Sequence, residues 1–220
     1  GQNNVAVGYQ ALKGFTTGVS NVAVSINALG SLTTGENNIA IGHNAGDAIT
    51  SQGACILIGN NAGGAINSDD ASGTIAIGYQ AGLVLTEGQY NTIIGYEAGK
   101  AMTDNDGNII IGYQSFQTAN SGENDNVVIG YQAGQNVDHA SSDGNVLIGK
   151  NAGVGGAGIM ASCIYIGRNA GENTHVRNQY DNVFIGRGVA GVAFGGQSDN
   201  NVAIGSLAMG TGALNAANNN

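Results

Sequence analysis

The chain has 220 residues, of which 39 are glycine, none is proline or tryptophan, and only 10% are charged. Fifteen acids against six bases leave a formal charge of −9, scattered rather than gathered in a tail, which argues against a nucleic-acid partner because phosphate binding needs a basic surface. No run of eighteen apolar residues is present to span a membrane as a helix, no signal-peptide pattern opens the chain, and two cysteines, Cys55 and Cys163, are too few for a disulfide framework and wrongly spaced for zinc.

Glycine at this level often marks disorder, but a 42% hydrophobic fraction with regularly recurring Val and Ile marks architecture instead. Aligned on Ile/Val-Gly, the chain shows twelve copies of one unit, with glycine at 8, 42, 59, 78, 95, 112, 130, 149, 167, 186 and 205 and Ser25 in its place in the second copy. The spacing of 17 to 19 residues is that of a solenoid in which each repeat is one coil stacked on the last.

In chain order, the predicted strands are centred on the triplets 5–7, 22–24, 39–41, 56–58, 75–77, 92–94, 109–111, 127–129, 146–148, 164–166, 183–185 and 202–204, each β-branched and each followed by a glycine- and Asn-rich loop with turn chemistry. No window has the 3.6-residue period of an amphipathic helix. Absence of proline fits strands that must pair on both edges. Asn precedes the strand in nine copies (Asn4, Asn21, Asn38, Asn91, Asn108, Asn126, Asn145, Asn182 and Asn201), and an aligned Asn column predicts a side-chain ladder that satisfies corner backbone groups. Cys55, Thr74 and Cys163 hold that position in the other three and read as small stand-ins.

Side chains alternate faces along a strand. The large flanking residues, such as Val5 and Val7 or Ile39 and Ile41, are expected inside the coil. The middle residues are then expected outside: Ala6, Ala23, Ala40, Leu57, Ala76, Ile93, Ile110, Val128, Leu147, Tyr165, Phe184 and Ala203. Not one is charged, and a continuous apolar stripe is rarely left open to water, so this column is expected to be the interface of a cyclic assembly of identical chains.

The runs "NNVAVGYQAL", "NNIAIGHNAG" and "DNVVIGYQAG" resemble the head repeats of trimeric autotransporter adhesins, the YadA-like left-handed parallel β-roll. The wording "GYQAL…TTG…NN" is similar to repeats of phage tail fibres and related bacterial surface fibres. The resemblance implies a homotrimer on a three-fold axis and a non-enzymatic structural or adhesive segment of a virion tail fibre or cell-surface fibre, attaching to a host or target cell. The expectation is therefore an all-β protein: one β-roll domain over residues 1–220, of about twelve 17–19-residue coils, homotrimeric, a piece of a longer fibre, with no cofactor and no metal.

The residue after the corner glycine forms a column of its own: Tyr9, Ile26, His43, Asn60, Tyr79, Tyr96, Tyr113, Tyr131, Lys150, Arg168, Arg187 and Ser206. Four consecutive tyrosines give way to three consecutive cations. Tyr79, Tyr96, Tyr113, Tyr131, Lys150, Arg168 and Arg187 are the candidate receptor-binding residues, able to meet cell-surface glycans. The alternative is in-register stacking that serves the solenoid alone, with a cation–π contact from Lys150 to Tyr131.

Three other readings compete. "IGYQAG" fits one hexapeptide of the left-handed β-helix acyltransferases, but His43, His139 and His175 have no recurrent acid partner. Carbohydrate-cleaving solenoids need two placed carboxylates; Asp69–Asp70, Asp104 with Asp106, and Glu123 with Asp125 read better as solvated loop acids, and "DNDGN" at 104–108 lacks the later Glu of a calcium loop. Thr16, Thr17, Thr33 and Thr34 begin an ice-binding type of column that dissolves after the third coil.

Overall fold

The computed structural model describes residues 1–67, 71–156, 158–173, 177–190 and 197–209. Every regular element among them is a short strand, so the protein is an all-β parallel solenoid, and no helix long and apolar enough to cross a membrane occurs among the described residues. The chain forms two compact units, Gly1–Gly107 and Asn108–Asn220.

In the first unit β1 (Val5–Val7), β2 (Val22–Val24), β3 (Ile39–Ile41), β4 (Ile56–Ile58), β5 (Ile75–Ile77) and β6 (Thr92–Ile94) pair parallel, each with the next. The register is without slip: Ala6 lies opposite Ala23, Ala23 opposite Ala40, and Ala40 opposite Leu57. In the second unit β7 (Ile109–Ile111), β8 (Val127–Ile129), β9 (Val146–Ile148), β11 (Ile164–Ile166), β13 (Val183–Ile185) and β15 (Val202–Ile204) do the same. A second, narrower sheet of β10 (Met160–Ala161), β12 (Gln179–Tyr180) and β14 (Ser198–Asp199) also runs parallel.

The Asn column forms the expected ladder. Asn38 donates its backbone N–H to Asn21 Oδ1 at 3.0 Å, while the Asn21 and Asn38 amides donate to the Gly35 and Gln52 carbonyls, both at 2.8 Å. The second unit repeats this: Asn145 N–H reaches Asn126 Oδ1 at 2.9 Å, and the Asn126 amide reaches the Ser142 carbonyl at 3.0 Å. An asparagine that follows another in the column thus ties its coil to the preceding one and braces its own coil internally. Cys55 and Cys163 keep the backbone half of the pattern, donating to Asn38 Oδ1 and Asn145 Oδ1 at 3.0 and 2.9 Å.

The facing of the strands corrects the sequence reading. The middle residues lie inside the chain's own coil: Ala23, Ala40, Leu57, Ala76, Ile93, Ile110, Val128, Leu147, Tyr165 and Phe184 are fully buried, Ala203 nearly so, and only Ala6, in the first coil, is open. They are core and leave no stripe for sister chains to cover. The flanking residues expected inside form the outer surface, as in Ile39, Ile41 and Ile109, which are exposed. The cause is the Asn ladder. Asn21 and Ala23 are two residues apart and must share a face, so an inward Asn carries the middle residue inward with it.

Volume inside the coil is balanced level by level. Where the middle residue is Leu147 or Tyr165, the opposite wall carries Gly153, at which a Cβ would sit 2.7 Å from Leu147 Cδ2 and 3.1 Å from Tyr165 Cδ2. Leu29 fills that wall position in the coil whose middle residue is the small Ala23, and Phe116 fills it one coil from Gly134, at which a Cβ would sit 3.1 Å from Phe116 Cδ2. Tyr165 and Phe184 stack inside the coil with ring centroids 4.9 Å apart. Each large side chain buried in this way contributes roughly 1.5–3 kcal/mol.

Candidate functional site: the corner column

The corner glycine sets this site. Gly42, Gly59 and Gly78 have φ of 141°, 135° and 138°, a region that residues with a Cβ avoid, and the chain leaves the corner with the next side chain directed outward. Backbone hydrogen bonds fix the register, with Glu97 N–H donating to the Tyr79 carbonyl at 2.8 Å and Asn169 N–H to the Lys150 carbonyl at 2.8 Å. Every candidate receptor residue, Tyr79, Tyr96, Tyr113, Tyr131, Lys150, Arg168 and Arg187, is exposed.

In the first unit Tyr79 and Tyr96 stack with centroids 5.0 Å apart and planes 17° from parallel. In the second unit Tyr113 and Tyr131 stack at 5.1 Å and 9°, and Lys150 Nζ lies 5.2 Å from the Tyr131 centroid. Each stacked pair covers one face of each ring, and the ammonium covers the other face of Tyr131. Within these contacts Tyr131 alone has both ring faces covered, which limits its own use as a stacking platform for sugars.

The cations that follow are differently placed. The only ion pair among the described residues is Lys100–Glu97, at 2.8 Å; Lys150, Arg168 and Arg187 are bridged to no carboxylate. The acid near them, Glu172, accepts instead from the Asn151 amide at 3.2 Å and the Asn169 amide at 2.6 Å. Arg187 makes long contacts to Ser206 Oγ, 3.4 Å from Nε and 3.5 Å from Nη2. Arg168, Asn169, Arg187, Gly188 and Leu207 line a shallow groove of about 170 Å³.

The rival constellations do not converge. His139 Nδ1 accepts the Ser141 N–H at 3.2 Å. His43 is exposed and near enough to Asp47 to oppose the rise that burial gives that carboxyl. His175 and the Asp69–Asp70 pair lie outside the described residues. Asp106 Oδ1 accepts the Gln89 N–H at 2.7 Å and Asn105 Oδ1 the Thr103 N–H at 3.0 Å, so "DNDGN" holds loop backbone together. Glu123 is buried rather than solvated, a correction to the loop-acid reading, whereas Asp125 is exposed. No group of three or more His, Cys, Asp or Glu able to hold a metal occurs among the described residues. Thr16 and Thr33 donate their hydroxyls to the Thr33 and Thr50 carbonyls at 2.8 and 2.9 Å, so those donors serve the solenoid.

Two features escaped the sequence reading: the outward Val/Ile double column and the groove between Arg168 and Arg187. The first could have been found from the two-residue offset between Asn and the middle position. The groove has no sequence signal, because Leu207 reaches Arg187 only across a coil. Comparison with protein-family models, with curated proteins and with solved structures gives no match.

Proposed function

We propose that this solenoid is a non-enzymatic structural and attachment segment of a homotrimeric fibre, on a phage tail or a bacterial surface, and that the chains associate through the outer Val/Ile double column. The observation that carries the reading is the composition of that face. In the first unit eleven of its twelve positions are Val or Ile and the other is Thr92, and in the second unit all twelve are Val or Ile. A stripe of this kind on a soluble chain is far from the mixed polar surface expected of a monomer. β-branched side chains in register give a flat, regular surface, and a cyclic assembly covers all copies of it at once.

Mass measurement by light scattering tests this directly. Three chains per particle at micromolar concentration is the expected result, with dissociation when Ile39 and Ile41 are both changed to Lys. A wild-type monomer that stays monodisperse at high concentration would remove the fibre reading. The corner column stays on the outside of such an assembly, available to a cell-surface ligand.

A further inference from the structure

We propose that the Lys150–Arg168–Arg187 row of the second unit, with the groove between Arg168 and Arg187, binds carboxylate-bearing sugars of an acidic polysaccharide. The inference rests on the attachment reading only in treating the corner column as the contact surface, and it does not require a trimer.

Three of the six basic residues in a chain of charge −9 occupy consecutive levels of one column. Successive coils are about 4.7–4.9 Å apart at the strands that precede these turns, and like charges on neighbouring levels repel one another. Carboxylates of the chain could have relieved this, yet none does so among the described residues, and the adjacent Glu172 is engaged by two amides. An external row of anions offsets the repulsion.

The groove narrows the chemistry. Two guanidinium groups offer donors in planar forks that match carboxylate oxygens two at a time. Gly188 adds no side chain to the lining, and Leu207 is its apolar member, able to meet the carbon face of a ring. A bare inorganic anion has no use for that contact, whereas a uronic-acid residue carries both the carboxylate and the apolar face. A polymer of such residues can place successive carboxylates along the row. In the same unit the Tyr113–Tyr131 stack serves to hold Lys150 in place through Tyr131.

The test is titration calorimetry with polygalacturonic acid, its fully methyl-esterified form, and a single-stranded oligonucleotide at the same ionic strength, on the wild type and on Arg168→Gln/Arg187→Gln. Binding of polygalacturonate that weakens at least tenfold in the double variant and is absent with the ester supports the proposal. Equal binding by wild type and variant, equal binding of ester and acid, preference for the oligonucleotide, or no binding at millimolar sugar overturns it. Both arginines are exposed, so an unchanged melting curve confirms that the variant is folded. Light scattering on the same samples separates the two ideas: a trimer without polygalacturonate binding ends this proposal and leaves the fibre reading standing.

Discussion

Cys163 donates its backbone N–H to Asn145 Oδ1 at 2.9 Å, while the Asn145 amide holds the Met160 carbonyl at 2.6 Å. One side chain thus joins two coils and braces a third segment, all of it buried. The next level is weaker, because the Cys163 thiol contacts the Gln179 carbonyl at only 3.6 Å where an amide would donate closely. Cys163→Asn should therefore restore a full rung and add about 1 kcal/mol, raising the melting temperature by roughly 2–4 °C for a chain of this size. Asn145→Ala should remove about 3 kcal/mol, since it strands a buried N–H and a buried carbonyl. Thermal melts of the two variants in opposite directions are the expected pattern; a destabilised Cys163→Asn would show that the ladder is not what stabilises this corner.

Burial pushes both thiols above their ordinary value, with hydrogen bonds from the neighbouring coil opposing the rise. The unionised form is thus favoured in the folded chain. By the sign of that shift, the contribution to stability is complete below the unfolded thiol value of 9.0 and is lost as pH rises beyond it. Two outcomes are expected. Ellman's reagent at pH 8 should label neither cysteine until denaturant is added, and the denaturation midpoint should fall above about pH 9 less steeply when both cysteines are changed to Ser. Rapid native labelling would contradict the burial of this column.

Ser25 occupies the one corner that lacks glycine, with φ of 109° against 126–142° at the glycine corners. Strain of about 1–3 kcal/mol is typical of such a residue, while glycine costs about 0.5–1 kcal/mol in chain entropy. Ser25→Gly should come out ahead by about 1 kcal/mol. The reverse change, Gly59→Ala, should be severe, because the new Cβ would meet the Gly78 backbone carbon at 2.6 Å, and backbone cannot swing aside. Chemical denaturation measures both; an Ala at 59 that leaves the midpoint in place would mean the corner can flatten.

Much of this fold was legible because the period is written in residues that have few other uses. The strands fall on the expected triplets, and the Asn column makes the expected hydrogen bonds, because a ladder needs only identical residues in register. Facing was harder. Alternation settles only which residues lie together, and both sets of side chains here are apolar, so hydrophobicity alone cannot choose between Ile109 and Ile110. The deciding clue was polar: Asn108 shares a face with Ile110, and a ladder that closes a corner has to be inside. In the corner column, residue types announced stacking, but not that Tyr113 and Tyr131 would cover each other's faces, which depends on ring tilt.

The pair Ile109 and Ile110 offers the sharpest test of that facing. Ile110 is fully buried within its coil, whereas Ile109 is 41% exposed on the outer sheet face. An aspartate at 110 is an unpaired charge beside Val128 in the fully buried interior of the coil, where relaxation cannot supply water. Ile110→Asp should lose at least 3 kcal/mol and unfold locally, visible in circular dichroism whatever the assembly state. An aspartate at 109 reaches solvent in a lone chain and should change its melting temperature little. In a trimer built on the outer face, however, it places like charges together at the interface. Ile109→Asp should therefore keep its β-sheet signal and lose mass by light scattering. A folded, assembled Ile110→Asp beside an unfolded Ile109→Asp would mean the strands face the other way.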